Sequence, residues 1–271
     1  NIRNAQKNAL AFVPEDPIPD YIKSKYRLCD LEFALRNIHF PQNSQSLEVA
    51  RRRLVFEELL VFRTGIAALK TKNIKASGTK LEKAYLGEFQ ELLPFTLTDA
   101  QLKAINECVT DMMSGRQMNR LVEGDVGSGK TAIATALMHS AALSKMQSAM
   151  MAPTEILAEQ HFATVSNLLK DTGINVRLLI GSTKKREKDL IKAELKSGEA
   201  DIVIGTQALI QGDVEFSNLS LVVTDEQHRF GVAQRATLAA KGKNPHILVM
   251  SATPIPRTLQ MSLIGIRNLS Q

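Results

Sequence analysis

Residues 122–134 read VEGDVGSGKTAIA, and the eight residues Gly124–Thr131 inside this stretch hold three glycines, a lysine and a threonine. The short apolar run NRLVE (119–123) precedes them and the helical pattern TAIATALMHSAAL (131–143) follows. The order Gly124, Asp125, Val126, Gly127, Ser128, Gly129, Lys130, Thr131 satisfies G-x-x-x-x-G-K-[ST] in the strand-to-helix context that this motif requires. Glycines let the main chain turn tightly and approach an anion without side chains in the way. Successive N–H groups then point inward at a helix N-terminus, where the helix dipole favours negative charge. Lys130 is placed to reach the β- and γ-phosphates of ATP, and Thr131 to offer its hydroxyl to Mg²⁺.

Working outward, residues from about 97 onward alternate between helix and apolar strand. TDAQLKAINECVTDMM (98–113) reads as helix, SAMMA (148–152) as strand, TEILAEQHFATVSNLLK (154–170) as helix, NVRLLIG (175–181) as strand and KKREKDLIKAELK (184–196) as helix. DIVIGT (201–206), LSLVVT (219–224) and HILVMS (246–251) complete the strands. Strands that are apolar throughout and separated by helices predict a parallel sheet covered on both faces, a doubly wound α/β domain.

The first part differs. LCDLEFALRNIHFP (28–41) is a short amphipathic helix stopped by Pro41. SQSLEVARRRLVFEELLVFRTGIAALK (44–70) is a long helix with Leu47, Ala50, Leu54 and Val61 at helical spacing. PEDPIPDY (14–21) reads as a proline-punctuated linker, and KNIKASGTK (72–80) breaks the helical pattern. We therefore divide the chain into a small helical segment, 1–80, and an α/β domain, 81–271. The 271-residue chain carries a net charge of +6; residues 1–80 hold 14 Lys and Arg against 8 Asp and Glu, and residues 81–271 hold 20 against 20, so the whole excess lies in the first segment. RRR (51–53) nevertheless pairs Glu48 with Arg52 and Arg53 with Glu57 at i,i+4, which favours a solvated helix face over a nucleic-acid contact. The two cysteines, Cys29 and Cys108, lack metal-site spacing and are expected as buried free thiols. No apolar run approaches the roughly 20 residues of a membrane helix, and no secretory signal opens the chain, so a cytoplasmic location is the default.

A phosphate loop implies acidic groups at the end of another parallel strand, where ligands gather. LVVTDEQH (221–228) supplies them: Asp225 to hold Mg²⁺ through water and Glu226 to orient the attacking water. Gln227 and His228 follow, at positions that motors running on nucleic acid use to couple the γ-phosphate to movement, and His228 has no second residue at metal-ligand spacing. SATP (251–254) ends the next strand, so Ser251 and Thr253 stand beside the carboxylates to relay the hydrolysis state.

LPFTLTDAQ (93–101), MNRLVEGDVGSGKTAIA (118–134), MAPTEILAEQH (151–161), DEQHRFGVAQR (225–235) and MSATPIPRTL (250–259) resemble the superfamily 2 helicases, P-loop NTPases of RecA-like fold, and within them the RecG family. That resemblance implies an ATP-dependent DNA helicase that remodels stalled forks, Holliday junctions and branched duplex DNA, acting as a monomer. It assigns Phe95, Thr98 and Gln101 to adenine recognition. It turns the stretch from Pro153 and Thr154 to His161 toward nucleic acid, and lets Gly181, Ser182, Gly205, Thr206 and Gln207 add contacts to the DNA backbone. Arg257 lies within the match without an assigned role. The likeness also implies a second RecA-like domain, which donates an arginine to the γ-phosphate, and an oligonucleotide-binding wedge domain. Beginning at Asn1 and stopping at IRNLSQ, the chain reads as a piece of something longer, weakly active or inactive alone. Two alternatives fit the same motifs: a nucleotide-dependent DNA-binding module, and the motor of a transcription-repair coupling factor, which tends to carry glutamate where this chain has Gln227.

Overall fold

The computed structural model describes residues 2–74, 78–225, 232–252 and 268–270. The chain forms two compact units, Asn1–Ala68 and Leu69–Gln271. The first is helical: α1 (Ile2–Ala9), α2 (Asp20–Tyr26), α3 (Leu31–His39) and α4 (Ser44–Ile74), the last of which runs on into the second unit. Helix α3 stops two residues before Pro41, as the restricted backbone of the residue preceding a proline requires.

The centre of this unit corrects two expectations. Arg53 is fully buried, not solvated. Its guanidinium donates to Glu57 (2.5 Å), as the i,i+4 spacing predicts, and also to Asp16 (2.6 Å), 37 residues away. Asp16 in turn accepts the backbone N–H groups of Ile18 (3.0 Å) and Leu31 (2.9 Å), so the stretch read as a linker is an ordered loop in which Ile18 is buried. Burial works to raise the Asp16 carboxyl, but those two N–H groups and Arg53 prevail and hold it below the usual carboxylate range. Arg52 donates to the Tyr26 carbonyl (3.1 Å). Of the two free thiols, Cys108 is buried, with its pKa pushed up to about 12 by desolvation, and Cys29 is only half-buried.

The second unit has the element order α5 (Leu86–Leu92), α6 (Asp99–Met113), β1 (Asn119–Glu123), α7 (Lys130–Leu143), β2 (Gln147–Met151), α8 (Glu155–Leu169), β3 (Val176–Leu179), α9 (Lys185–Ser197), β4 (Ile202–Gly205), a 3₁₀ turn (Gln207–Ile210), β5 (Leu219–Thr224), α10 (Val232–Ala239), β6 (His246–Ser251) and β7 (Asn268–Ser270). The strands form one seven-stranded sheet in the order β3-β4-β2-β5-β6-β1-β7, parallel throughout. This is the doubly wound α/β fold that the alternation predicts. Alternate residues of one strand enter different cores: Met150, Leu221 and Val223 join α6, α7 and α8, whereas Ala149, Met151 and Val222 pack with Ile191, Leu195 and Leu238 of α9 and α10. Two-residue periodicity with both faces apolar is what makes these strands continuous hydrophobic runs. Helix α7 is buried from Ala132 through Ala142, with Thr135, His139 and Ser140 among mostly apolar residues. Arg120, nearly buried, donates to Asp111 (2.7 Å), Glu107 (2.7 Å) and Ser270 (2.7 Å), which fastens β7 beside β1.

Two predictions arise from this packing. A Cβ added at Gly205 would run into the main-chain carbonyl oxygen of Leu179 on the neighbouring strand, and backbone on a sheet cannot give way cheaply. Gly205→Ala is therefore expected to cost about 1–3 kcal/mol in urea denaturation; a cost below about 0.5 kcal/mol would contradict that close approach. The second concerns His246, whose Nδ1 accepts the Met118 N–H (3.0 Å) while Nε2 lies 2.6 Å from the Thr79 carbonyl oxygen, fixing the neutral Nε2–H tautomer. Burial pushes its pKa below the usual 6.5, against the opposing pull of Thr79 and Asp111. The unfolded chain therefore binds the proton first, so stability is full above about pH 6.5 and falls as the pH drops toward the folded value, by at most about 1.4 kcal/mol per pH unit. Melting curves between about pH 7.5 and 5.5 should show a shallower loss in H246N than in the unaltered chain; parallel loss would assign the acid sensitivity elsewhere.

Candidate nucleotide site

All the parallel strands end on one edge of the sheet, and the candidate residues gather along it. From β3 across to β1 the strand ends bring up Gly181, Gly205 and Thr206, Pro153, Asp225, Ser251 and Gly124 in turn. Asp225 is pinned by its N–H to the Met151 carbonyl (3.1 Å), and Gly124 by its N–H to the Ser251 carbonyl (3.2 Å). Strand β6 alone separates β5 from β1, so the main chain at Asp225 and at Gly124 lies about 10 Å apart, two strand spacings. Ser251 is fully buried between them, and Asp225 is 8% exposed.

The loop between β1 and α7 is shaped by its glycines. Gly127 and Gly129 have φ of 81° and 83°, where a side chain is strained, and a Cβ on Gly124 would stand 2.6 Å from the Ser128 hydroxyl. Lys130, the first residue of α7, donates to the carbonyl oxygens of Gly124 (2.6 Å) and Asp125 (2.7 Å), so its ammonium lies over the loop it belongs to. Thr131 follows on the first turn of α7, half-buried.

Thr98 and Gln101 act on this loop from α6. Thr98 caps the helix: Gln101 N–H donates to its hydroxyl (3.3 Å), and Thr98 N–H donates to Gln101 Oε1 (2.9 Å). The same Gln101 side chain donates through Nε2 to the Ser128 carbonyl (2.9 Å) and lies against Gly129, so one amide links the cap of α6 to the glycine loop. Phe95 is half exposed.

Further along the edge, Thr154 caps α8 by accepting the Leu157 N–H (3.3 Å). The Glu155 carboxylate accepts from the Ser182 hydroxyl (2.6 Å) and N–H (3.1 Å), which brings Pro153 and Thr154 together with Gly181 and Ser182; the Ser182 hydroxyl leads the causes that hold this carboxyl below its ordinary range. Thr154, Gly181 and Ser182 are exposed, whereas Gly205 and Thr206 are buried. His161 departs from expectation. It does not share the exposed side of α8 but lies on the stripe Ala158, His161, Val165, and its Nε2 is 2.8 Å from Asp225 Oδ2. That i, i+3, i+7 spacing was the signal in the sequence that could have turned it inward. Glu226, Gln227, His228, Thr253 and Arg257 lie outside the described residues.

The profile of the DEAD/DEAH box helicase family matches residues 98–262. The chain is 46% identical over 259 residues to the ATP-dependent DNA helicase RecG of Synechocystis sp., covering 94% of this chain and 31% of that protein. It is also 46% identical to RecG of Bacillus subtilis, covering 94% of this chain and 38% of that one. It thus spans only about 31% to 38% of the length of these two curated relatives. The structure of RecG bound to a three-way DNA junction superposes with a TM-score of 0.80 at 42% identity, over 95% of this chain and 35% of that one. The UvsW helicase of bacteriophage T4 shares the fold at 16% identity, with a TM-score of 0.52 over 70% of this chain and 68% of that one. The likeness to RecG that the motifs announce therefore extends through nearly the whole chain, and with the family profile spanning the glycine loop, the Asp225 strand and Ser251, the chain belongs to the DEAD/DEAH box helicase family.

Proposed function

We propose that residues 81–271 are the first RecA-like motor domain of a RecG-type ATP-dependent DNA helicase, with residues 1–80 as the helical segment that connects it to a wedge domain. The substrates are stalled forks, Holliday junctions and other branched duplexes, and the protein works in the cytoplasm as a monomer. The observation that carries this reading is the shared sheet edge: the glycine loop with Lys130 and Thr131 stands two strands from Asp225, with Ser251 between.

The residues present suit a magnesium nucleotide. Gly127 and Gly129 at positive φ, and Gly124 against the Ser128 hydroxyl, make a main-chain cradle for phosphates, and a hydroxyl and a carboxylate are the hard oxygen donors that Mg²⁺ prefers. Mg²⁺, when bound, neutralises charge on the phosphate oxygens. Lys130 would exchange the carbonyls of Gly124 and Asp125 for phosphate oxygens, and Thr131 and Asp225 would hold the metal. Glu226 would orient water. Gln101 would read the adenine edge with Phe95 packed on the base, while its bond to Ser128 keeps the cradle in register with the base site. Gln227, His228, Ser251 and Thr253 would pass the hydrolysis state to a DNA face made of Pro153, Thr154, Gly181, Ser182, Gly205 and Thr206. These are contacts to phosphate and sugar, which position a strand without reading its sequence.

A second RecA-like domain would supply the arginine that raises turnover by about 10³ to 10⁵, so this chain alone is expected to bind nucleotide and turn it over slowly. The test is ATP turnover by the whole protein, at fixed salt, with forked, four-way and linear duplex DNA. Stronger stimulation by the branched forms is expected; equal stimulation by all three, or none, would overturn the assignment.

A further inference from the structure

Helix α8 buries Ala158, Val165 and Leu169, and His161 sits on that same apolar stripe. An imidazole in such a place is costly to desolvate unless its polar atoms are bonded. Its Nε2 meets Asp225 Oδ2 at 2.8 Å, and both side chains are only 12% exposed. An ionised carboxylate accepts hydrogen bonds and donates none, so the proton belongs to His161 Nε2. The main chain of Asp225 is already fixed by its N–H bond to Met151. What that bond leaves undetermined is the rotation of the carboxyl group, and the hydrogen bond from the imidazole restrains it. A carboxylate has about four acceptor positions on two oxygens, so a bond from His161 is compatible with a metal or its water on the same group.

We infer that His161 is a positioning residue, holding the Asp225 carboxylate in the orientation in which it serves Mg²⁺. The inference rests on the proposed magnesium-nucleotide site. It also gives α8 two roles: its N-cap Thr154 and first residue Glu155 stand at the face shared with Ser182, and its second turn carries the hydrogen bond to Asp225. Outer partners of metal ligands change metal affinity by about 10- to 100-fold when removed.

The experiment titrates Mg²⁺ into this chain with a fluorescent ATP analogue at fixed concentration and reads nucleotide binding rather than turnover. His161→Ala is expected to raise the Mg²⁺ needed for half-maximal binding about tenfold. His161→Gln, whose amide N–H can occupy the place of Nε2–H, is expected to return it to within about twofold of the unaltered chain. Long-range ¹⁵N–¹H spectra should show the Nε2–H tautomer in the unaltered protein. An unchanged Mg²⁺ requirement in H161A would overturn the inference, as would equal impairment of H161A and H161Q with matched melting temperatures, which would make the histidine a packing residue. If the unaltered chain bound no magnesium nucleotide, the motor assignment and this inference would fall together. Normal binding with an unmoved Mg²⁺ requirement in H161A removes this inference alone.

Discussion

Lys130→Ala in this chain is expected to weaken binding of Mg-ATP by at least about a hundredfold. The ammonium would make two charge-assisted contacts, to the β- and γ-phosphates, each contributing about 1.5–2 kcal/mol net, and about 1.4 kcal/mol is tenfold in affinity. The fold should not suffer. Among the described residues, Lys130 bonds only to the carbonyls of Gly124 and Asp125 in a loop whose tip, Val126, is 90% exposed, so its truncation opens no cavity in the sheet. Titration of a fluorescent ATP analogue, paired with a thermal melt, checks both halves. Unchanged affinity would mean that the glycine loop is not the phosphate site.

The second large effect concerns the helical unit. Asp16→Ala should destabilise it by about 3–5 kcal/mol, because the fully buried Arg53 guanidinium would keep only Glu57, and the N–H groups of Ile18 and Leu31 would lose their acceptor. A charge removed from water and left half-paired is far more expensive than a broken surface pair. Arg51→Ala, on an exposed position of the same helix, should stay within about 0.5 kcal/mol. Urea denaturation with hydrogen exchange read over residues 14–64 separates the two variants. A cost below about 1 kcal/mol for Asp16→Ala would show that the Asp16–Arg53 contact is not held in solution.

Arg53 also marks where the sequence stopped being informative. Its pairing with Glu57 was legible, because a helix brings i and i+4 together whatever surrounds it. Its pairing with Asp16 was not, because a contact across 37 residues leaves no periodic trace, and a run of three arginines reads as surface. The glycine loop lies at the other extreme. Its chemistry requires adjacent residues, so motif, strand and helix are all visible in one stretch. Asp225 was found through topology, since parallel strands must place their ends on one edge. His161 shows a middle case: it stands within an exposed-looking motif, while its spacing from Ala158 and Val165 points inward. The short elements α5, α10 and β7 escaped the sequence reading, since elements of seven, eight and three residues carry too little periodicity to rise above the surrounding loops. Gly205 illustrates a different ambiguity. A glycine at a strand end can serve a ligand, yet the approach of the Leu179 carbonyl requires one there on packing grounds alone.

The central claim is that the Gly124–Thr131 loop and Asp225 grip one magnesium nucleotide. A crystal structure of the chain with Mg²⁺ and a non-hydrolysable ATP analogue tests it most directly. The account expects the phosphates cradled by the loop amides and Lys130, with the metal on the Thr131 hydroxyl and Asp225 facing it. A nucleotide bound elsewhere, or a metal held by neither Thr131 nor Asp225, would contradict it.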